Sequence, residues 1–416
     1  VSSVDVARVQ RGTLSVLMVS QALGGVGVSA GVAVATLLAQ DILGSADLAG
    51  LAQTSQVLGA ALSAFLLARV AAARGRRAGL IVGYGAGGVG AALCVLAGLA
   101  GSFPLLLLGT LAIGSATAAN NHARFAATDL AEQNHRARAL SLVVWATTLG
   151  AVLGPNLAGP GAAMARRIGV PELTGAFVFT AVAVGLATAW LALRLRPDPL
   201  LLARELAHAR GETQRPHVSL QHVASVVRAR PRALAAMTAM AVAHAVMVSV
   251  MVMTPLHIQH GGGGLEIVGL VLSGHVLGMY ALTPLVGWVV DRAGHAAVLA
   301  AGAVFLLGAV ALAGGAPAGG SPGLGVGLFL LGVGWSCSLV AGSALLVDAV
   351  PLVEGPGVQG GADLLMGLVA AAGGALAGVI VGKWGYGTLN VSAGILALAV
   401  LGAAAVARAN RLVATG

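Results

Sequence analysis

The chain has 416 residues, of which 58% are hydrophobic and only 9% charged, and its mean hydropathy is +0.93. No water-soluble domain of this length has that composition, which excludes soluble enzymes and nucleic-acid binders as classes. The formal net charge of +9 reflects arginines gathered in alternate loops of a membrane protein, not a phosphate-binding patch, so no nucleic acid is expected as a partner.

A membrane span needs about 20 apolar residues, and twelve such segments can be marked along the chain. The expected fold class is an all-α membrane protein, with halves at 1–197 and 232–416 joined by a cytoplasmic linker at 198–231. Span one, near 13–40, is rich in glycine, and Arg8 and Arg11 lead into it without the short core of a cleaved leader. Span two ends in the basic turn Arg74, Gly75, Arg76 and Arg77.

Span four, near 104–127, carries Asn120, Asn121, His122 and Arg124, with Asp129 just beyond. Such polar residues are costly in lipid unless they face the bundle interior, and helix-end snorkelling is the plainer alternative to substrate contact. Span five holds Gly150, Gly154 and Pro155, a pattern for close helix packing and a bend. The linker mixes arginines with Glu205, His208, Glu212, His217 and His222, and Asp348 and Asp363 lie near the ends of spans ten and eleven. The basic loops place both termini in the cytoplasm, with Arg166, Arg167 and Lys383 as exceptions. Cys94 and Cys337 fall inside spans and are expected to be packing residues.

Span seven reads Met237, Met240, His244, Met247 and Met251 at steps of three and four, one helical face; His275 and Met279 share a face of span eight. Thioether and imidazole are soft ligands suited to Cu(I). Packing is the ordinary explanation of a methionine stripe. Against it, five of the nine methionines lie between Met237 and Met253. A soft-metal path is therefore expected, with Met247, His275 and Met279 near the membrane midplane, Met251 about one turn further out, and Met240, His244, Met237 and His122 as candidates for an inner relay.

Two six-span halves, a long central loop and the turn Gly287, Asp291, Arg292, Gly294 resemble the major facilitator superfamily over the whole chain. The resemblance implies two pseudo-symmetric six-helix halves and a gating role for Gly287, Asp291, Arg292 and Gly294. In the first half, Ala72 stands where the family's turn carries Asp. The Gly150, Gly154, Pro155 motif looks like that of drug:proton antiporters, although span one has no carboxylate. The pairs Met247 with Met251 and His275 with Met279 look like the signature of the CcoA-like copper importers, a bacterial branch that supplies copper for cbb3-type cytochrome oxidase; related members are linked to riboflavin.

That resemblance implies a non-enzymatic, monomeric, multi-pass transporter of the bacterial inner membrane, importing copper by alternating access. It implies Met247, Met251, His275 and Met279 as the copper ligands, no prosthetic group, copper ion as transported substrate, and the lipid bilayer and cytoplasmic copper chaperones as partners. Two alternatives stand beside it: a proton-coupled transporter of a small organic molecule or drug, riboflavin included, and a copper sensor or assembly factor that moves no ion.

Overall fold

The computed structural model describes residues 5–45, 48–211, 218–319 and 321–413, so Glu212 and His217 of the linker lie outside the described residues. Helix and turn account for the described residues, with no strand among them. The first half contains α1 (Val6–Leu43), α2 (Leu51–Arg74), α3 (Arg76–Ala100), α4 (Phe103–Ala126), α5 (Arg136–Asn156), α6 (Ala158–Ile168) and α7 (Gly175–Arg194). Two short helices, α8 (Pro199–His208) and α9 (Leu220–Arg228), occupy the segment expected as a polar linker. Then follow α10 (Pro231–His260), α11 (Leu265–Tyr280), α12 (Thr283–Ala293), α13 (His295–Gly314), α14 (Pro322–Ala349) and α15 (Gly355–Val413).

Eleven stretches are long and apolar enough to cross a membrane among the described residues. The last is double. A continuous helix of 59 residues would run roughly 88 Å at 1.5 Å per residue, about three times the hydrocarbon thickness. Gly385 interrupts it at φ 84°, ψ 169°, outside helical geometry, so α15 is two helices and the expected twelve spans are all present. Gly75 (φ 90°, ψ 168°) and Gly294 (φ 85°, ψ 161°) make the α2–α3 and α12–α13 turns in nearly the same conformation. A Cβ at that positive φ is disfavoured, which is why glycine stands at all three turns.

Residue contacts divide the chain into two compact units. Unit 1 comprises Val1–Ala131, Ala146–Leu220 and Leu352–Leu364; unit 2 comprises Glu132–Trp145, Gln221–Pro351 and Leu365–Gly416. Each unit thus takes one short segment from the other half of the sequence. In unit 1 the helices approach through small residues: a side chain at Gly59 would strike the backbone of Leu111, and one at Gly90 that of Gly109. Lipid tails are as apolar as the helices, so association depends on this close van der Waals contact.

Unit 2 is built around α14, on which α10, α11 and α13 all pack. From Leu331 to Leu346 every residue of α14 is buried, which fits a helix apolar on all sides. Large apolar side chains such as Val89 and Leu193 in unit 1 and Leu270 and Val391 in unit 2 are exposed, as helices in contact with lipid require.

Candidate functional site

Unit 1 holds a cluster of buried charged side chains. The Arg76 Nε donates to Asp129 Oδ2 at 2.8 Å, and its Nη2 reaches Asp129 Oδ1 at 3.0 Å and Gln359 Oε1 at 2.7 Å. Burial pushes the Asp129 carboxyl above its ordinary range, and the Arg76 guanidinium pulls it back. Beside it, Arg124 Nη2 donates to Asp363 Oδ1 at 2.5 Å. Asp363 Oδ2 lies 3.8 Å from His122 Nε2. Deeper along α4, the Tyr84 hydroxyl donates to Asn120 Oδ1 at 2.6 Å. All these side chains are buried. The α2–α3 turn has a different acid partner: Asp198, which caps α8 through Leu200 N and Leu201 N, also accepts from Arg77 N at 2.7 Å.

Unit 2 holds the counterpart cluster, arranged differently. Asp291 accepts the Ala137 N–H at 3.1 Å and the Arg138 N–H at 3.0 Å, so its carboxylate caps the first turn of α5. Arg292 points its guanidinium over the Trp288 ring at 4.3 Å. Asp348 is held by Arg136 Nη1 at 2.6 Å and by His295 Nε2 at 3.3 Å. Gly287 lets α12 press onto α5, because a side chain there would collide with Ser141 and the Ala137 carbonyl. The packing of α5 in unit 1 uses Gly150 and Gly154, which lie against Gly25 and Ser29 of α1, with Pro155 inside the helix.

The soft-ligand residues fall on two helices of unit 2. Met237, Met240 and Met247 are buried on α10 and Met251 is half-buried, while His275 and Met279 are buried on α11. His275 donates Nδ1–H to Leu328 O at 2.8 Å, leaving Nε2 buried with no hydrogen-bond partner. The expected relay residues have other partners. Met240 Sδ accepts from Ser343 Oγ at 3.3 Å and sits against Gly342. His244 Nδ1 accepts the Trp335 indole N–H at 2.8 Å, which takes up that lone pair. His122 belongs to unit 1, where its neighbour is a carboxylate and not a thioether.

Three aromatic rings from three helices meet in unit 2. Trp335 of α14 bonds His244 of α10, and the Tyr280 ring of α11 stands edge-on to Trp335 with centroids 5.6 Å apart. Toward the C-terminal end of α10, His257 stacks on Tyr386 at 4.2 Å, and the Tyr386 hydroxyl lies 2.9 Å from Thr254 Oγ1. Aromatics are only 4% of the chain, so this convergence is not a product of abundance. The sequence reading named His244 but not Trp335 or Tyr280. Residues scattered over α10, α11 and α14 share no spacing, and the scarcity of aromatics was the one signal available.

The major facilitator superfamily model matches residues 14–268. The uncharacterized MFS-type transporter YddS of Bacillus subtilis is 38% identical over 391 residues, covering 94% of this chain and 89% of the relative. The riboflavin transporter RfnT of Brucella anthropi is 27% identical over 331 residues, covering 79% of each. Among solved structures, the human organic anion transporter MFSD10 superposes with a TM-score of 0.73 at 17% identity, over 95% of this chain and 99% of that one. A match over more than half the chain, a relative at this identity over nearly its whole length, and the shared fold lead to one conclusion: this protein is a multi-pass membrane transporter that belongs to the major facilitator superfamily.

Proposed function

We propose that this transporter carries a small organic solute bearing a planar ring, by alternating access across the membrane. The observation that carries the reading is the Trp335, His244 and Tyr280 cluster, an imidazole and two aromatic rings from three helices in a chain poor in Phe, Trp and Tyr. Aromatic faces with a few fixed polar atoms are the usual means of holding a flat, partly polar molecule. The kinship with RfnT, named for riboflavin, points the same way.

Uptake of labelled riboflavin and of a panel of ring-bearing solutes into proteoliposomes containing the full chain tests this. Saturable uptake that drops at least several-fold in Trp335→Phe is expected. The absence of uptake for every member of the panel would overturn it.

A second reading, import of a soft metal ion such as Cu(I), is favoured by one feature. His275 has its Nδ1 hydrogen on a backbone carbonyl and its Nε2 lone pair buried and unused, the arrangement that orients a metal-ligating imidazole. On that reading the ion is the cargo, and Met247, Met251, His275 and Met279 supply neutral ligands. Copper accumulation by the wild type, lost in His275→Ala, would select it.

A further inference from the structure

At one end of unit 2 three spans enclose a cavity of about 620 Å³, lined by the starts of α10 and α13 and by the last part of α15. Consecutive spans cross in opposite directions, so these two starts and the end of α15 share one side of the membrane. The cavity therefore lies at headgroup level and not at mid-depth. All of its lining residues belong to unit 2.

The lining combines two chemistries. Ala297, Ala300, Leu401 and Ala404 make an apolar wall, and Arg232 and Arg408 bring two guanidiniums to the same cavity. No carboxylate lines it. Arg232 is half-buried, and its Nε is buried with no hydrogen-bond partner. Among the described residues neither guanidinium has an ion pair, because the acids at this end are already engaged. Asp348 takes Arg136 and His295, and Asp291 caps α5, while Arg292 lies over Trp288. The start of α13 adds charge of the same sign: no side chain caps it, and its first N–H groups carry the positive end of the helix dipole.

Two unpaired guanidiniums beside an apolar wall fit one kind of ligand, an anion that carries hydrocarbon. A guanidinium offers phosphate oxygens two parallel N–H donors. A free anion would leave the alanine and leucine wall in water, whereas a phospholipid covers it with the upper part of an acyl chain. The volume is that of an ordinary small-molecule site. A zwitterionic lipid fits less well, since its ammonium would approach a place that already holds two cations.

We propose that this cavity binds the headgroup of an anionic phospholipid of the phosphatidylglycerol type, with Arg232 and Arg408 on the phosphate oxygens and the apolar wall against the chain. The site is separate from the aromatic cluster and independent of the identity of the cargo. A lipid held there bridges the start of α10, the helix that carries His244, to α13 and α15.

Native mass spectrometry of the full chain tests this. The delipidated protein in detergent receives equal amounts of dioleoyl phosphatidylglycerol and dioleoyl phosphatidylcholine, and the first lipid adduct is read. The phosphatidylglycerol adduct is expected to exceed the other at least several-fold in the wild type, and the preference should vanish in the double variant Arg232→Gln with Arg408→Gln. Arg138→Gln with Arg228→Gln removes the same charge from exposed positions outside the cavity and should leave the preference intact. Ala405→Trp, at an exposed position of the lining, keeps both arginines but fills the space for the chain, and should also lose the adduct. If the double variant does not fold, Ala405→Trp alone decides. Equal adducts of the two lipids in the wild type, a preference that survives either change in the cavity, or an equal loss in the Arg138→Gln, Arg228→Gln control overturns the proposal. Displacement of phosphatidylglycerol by an equal concentration of inorganic phosphate also overturns it, by marking a site for the free anion.

Discussion

The α2–α3 turn of unit 1 and the α12–α13 turn of unit 2 have the same backbone and opposite chemistry. Gly75 and Gly294 sit within a few degrees of each other in φ and ψ. At the second turn Asp291 supplies a carboxylate that caps α5 through two backbone N–H groups. At the first turn Ala72 stands at the place of the acid, and its carbonyl accepts from Arg204 instead. The work of holding the start of α15 is done by side chains: Arg76 on Gln359 and Arg124 on Asp363. A backbone cap presents a carboxylate to fixed dipoles, whereas a buried ion pair depends on both partners keeping their charge. Unit 1 therefore fastens the start of α15 through paired side chains, where unit 2 fastens the start of α5 through a carboxylate on backbone N–H groups.

The largest expected effect comes from breaking the buried pair. Arg124→Ala leaves Asp363 without its cation in a site where both side chains are 3% exposed, and a loss of about 3–5 kcal/mol is expected from such an uncompensated charge. Thermal unfolding in detergent measures it. Asp363→Asn leaves the Arg124 guanidinium unpaired in the same buried site and should cost a comparable amount. Next comes Gly287→Leu, which drives a side chain into Ser141 and the Ala137 carbonyl, with an overpacking cost of about 1–3 kcal/mol by the same assay. Removing the cap with Asp291→Ala should cost about 1 kcal/mol, the usual value of a lost helix cap. Arg136→Ala should be the mildest. Its side chain is 30% exposed and Asp348 keeps His295, so a loss of at most about 1 kcal/mol is expected after solvent screening. A cost for Asp291→Ala as large as that for Arg124→Ala would erase the distinction between the two fastenings.

Much of the architecture was written in local pattern. Twelve apolar segments, the Gly287 to Gly294 turn and the departure at Ala72 are properties of short windows, and each has a direct structural counterpart. The linker helix α8 had a start signal too: Asp198 followed by Pro199 is an N-cap with proline at the first helical position. The surrounding arginines and histidines hid its buried stripe of Leu200, Leu202 and Ala203. The one-face period of the methionine row was equally plain. What that face meets was not, because Ser343 and Trp335 lie 103 and 91 residues from their α10 partners. Asp363 is 239 residues from Arg124, and no spacing rule joins them. Opposite charges inside separate spans of a chain with so few charges were the available hint, since a lone intramembrane ion needs a partner.

The central claim is that the aromatic cluster, not the methionine row, recognises the cargo. Parallel uptake of labelled riboflavin and of radioactive copper into proteoliposomes containing wild type, Trp335→Phe or His275→Ala tests it most directly. The account predicts saturable uptake of riboflavin or another ring-bearing solute of the panel that falls several-fold in Trp335→Phe and is largely retained in His275→Ala, with copper no higher than in empty vesicles. Copper accumulation in the wild type that is abolished by His275→Ala and indifferent to Trp335→Phe would contradict it.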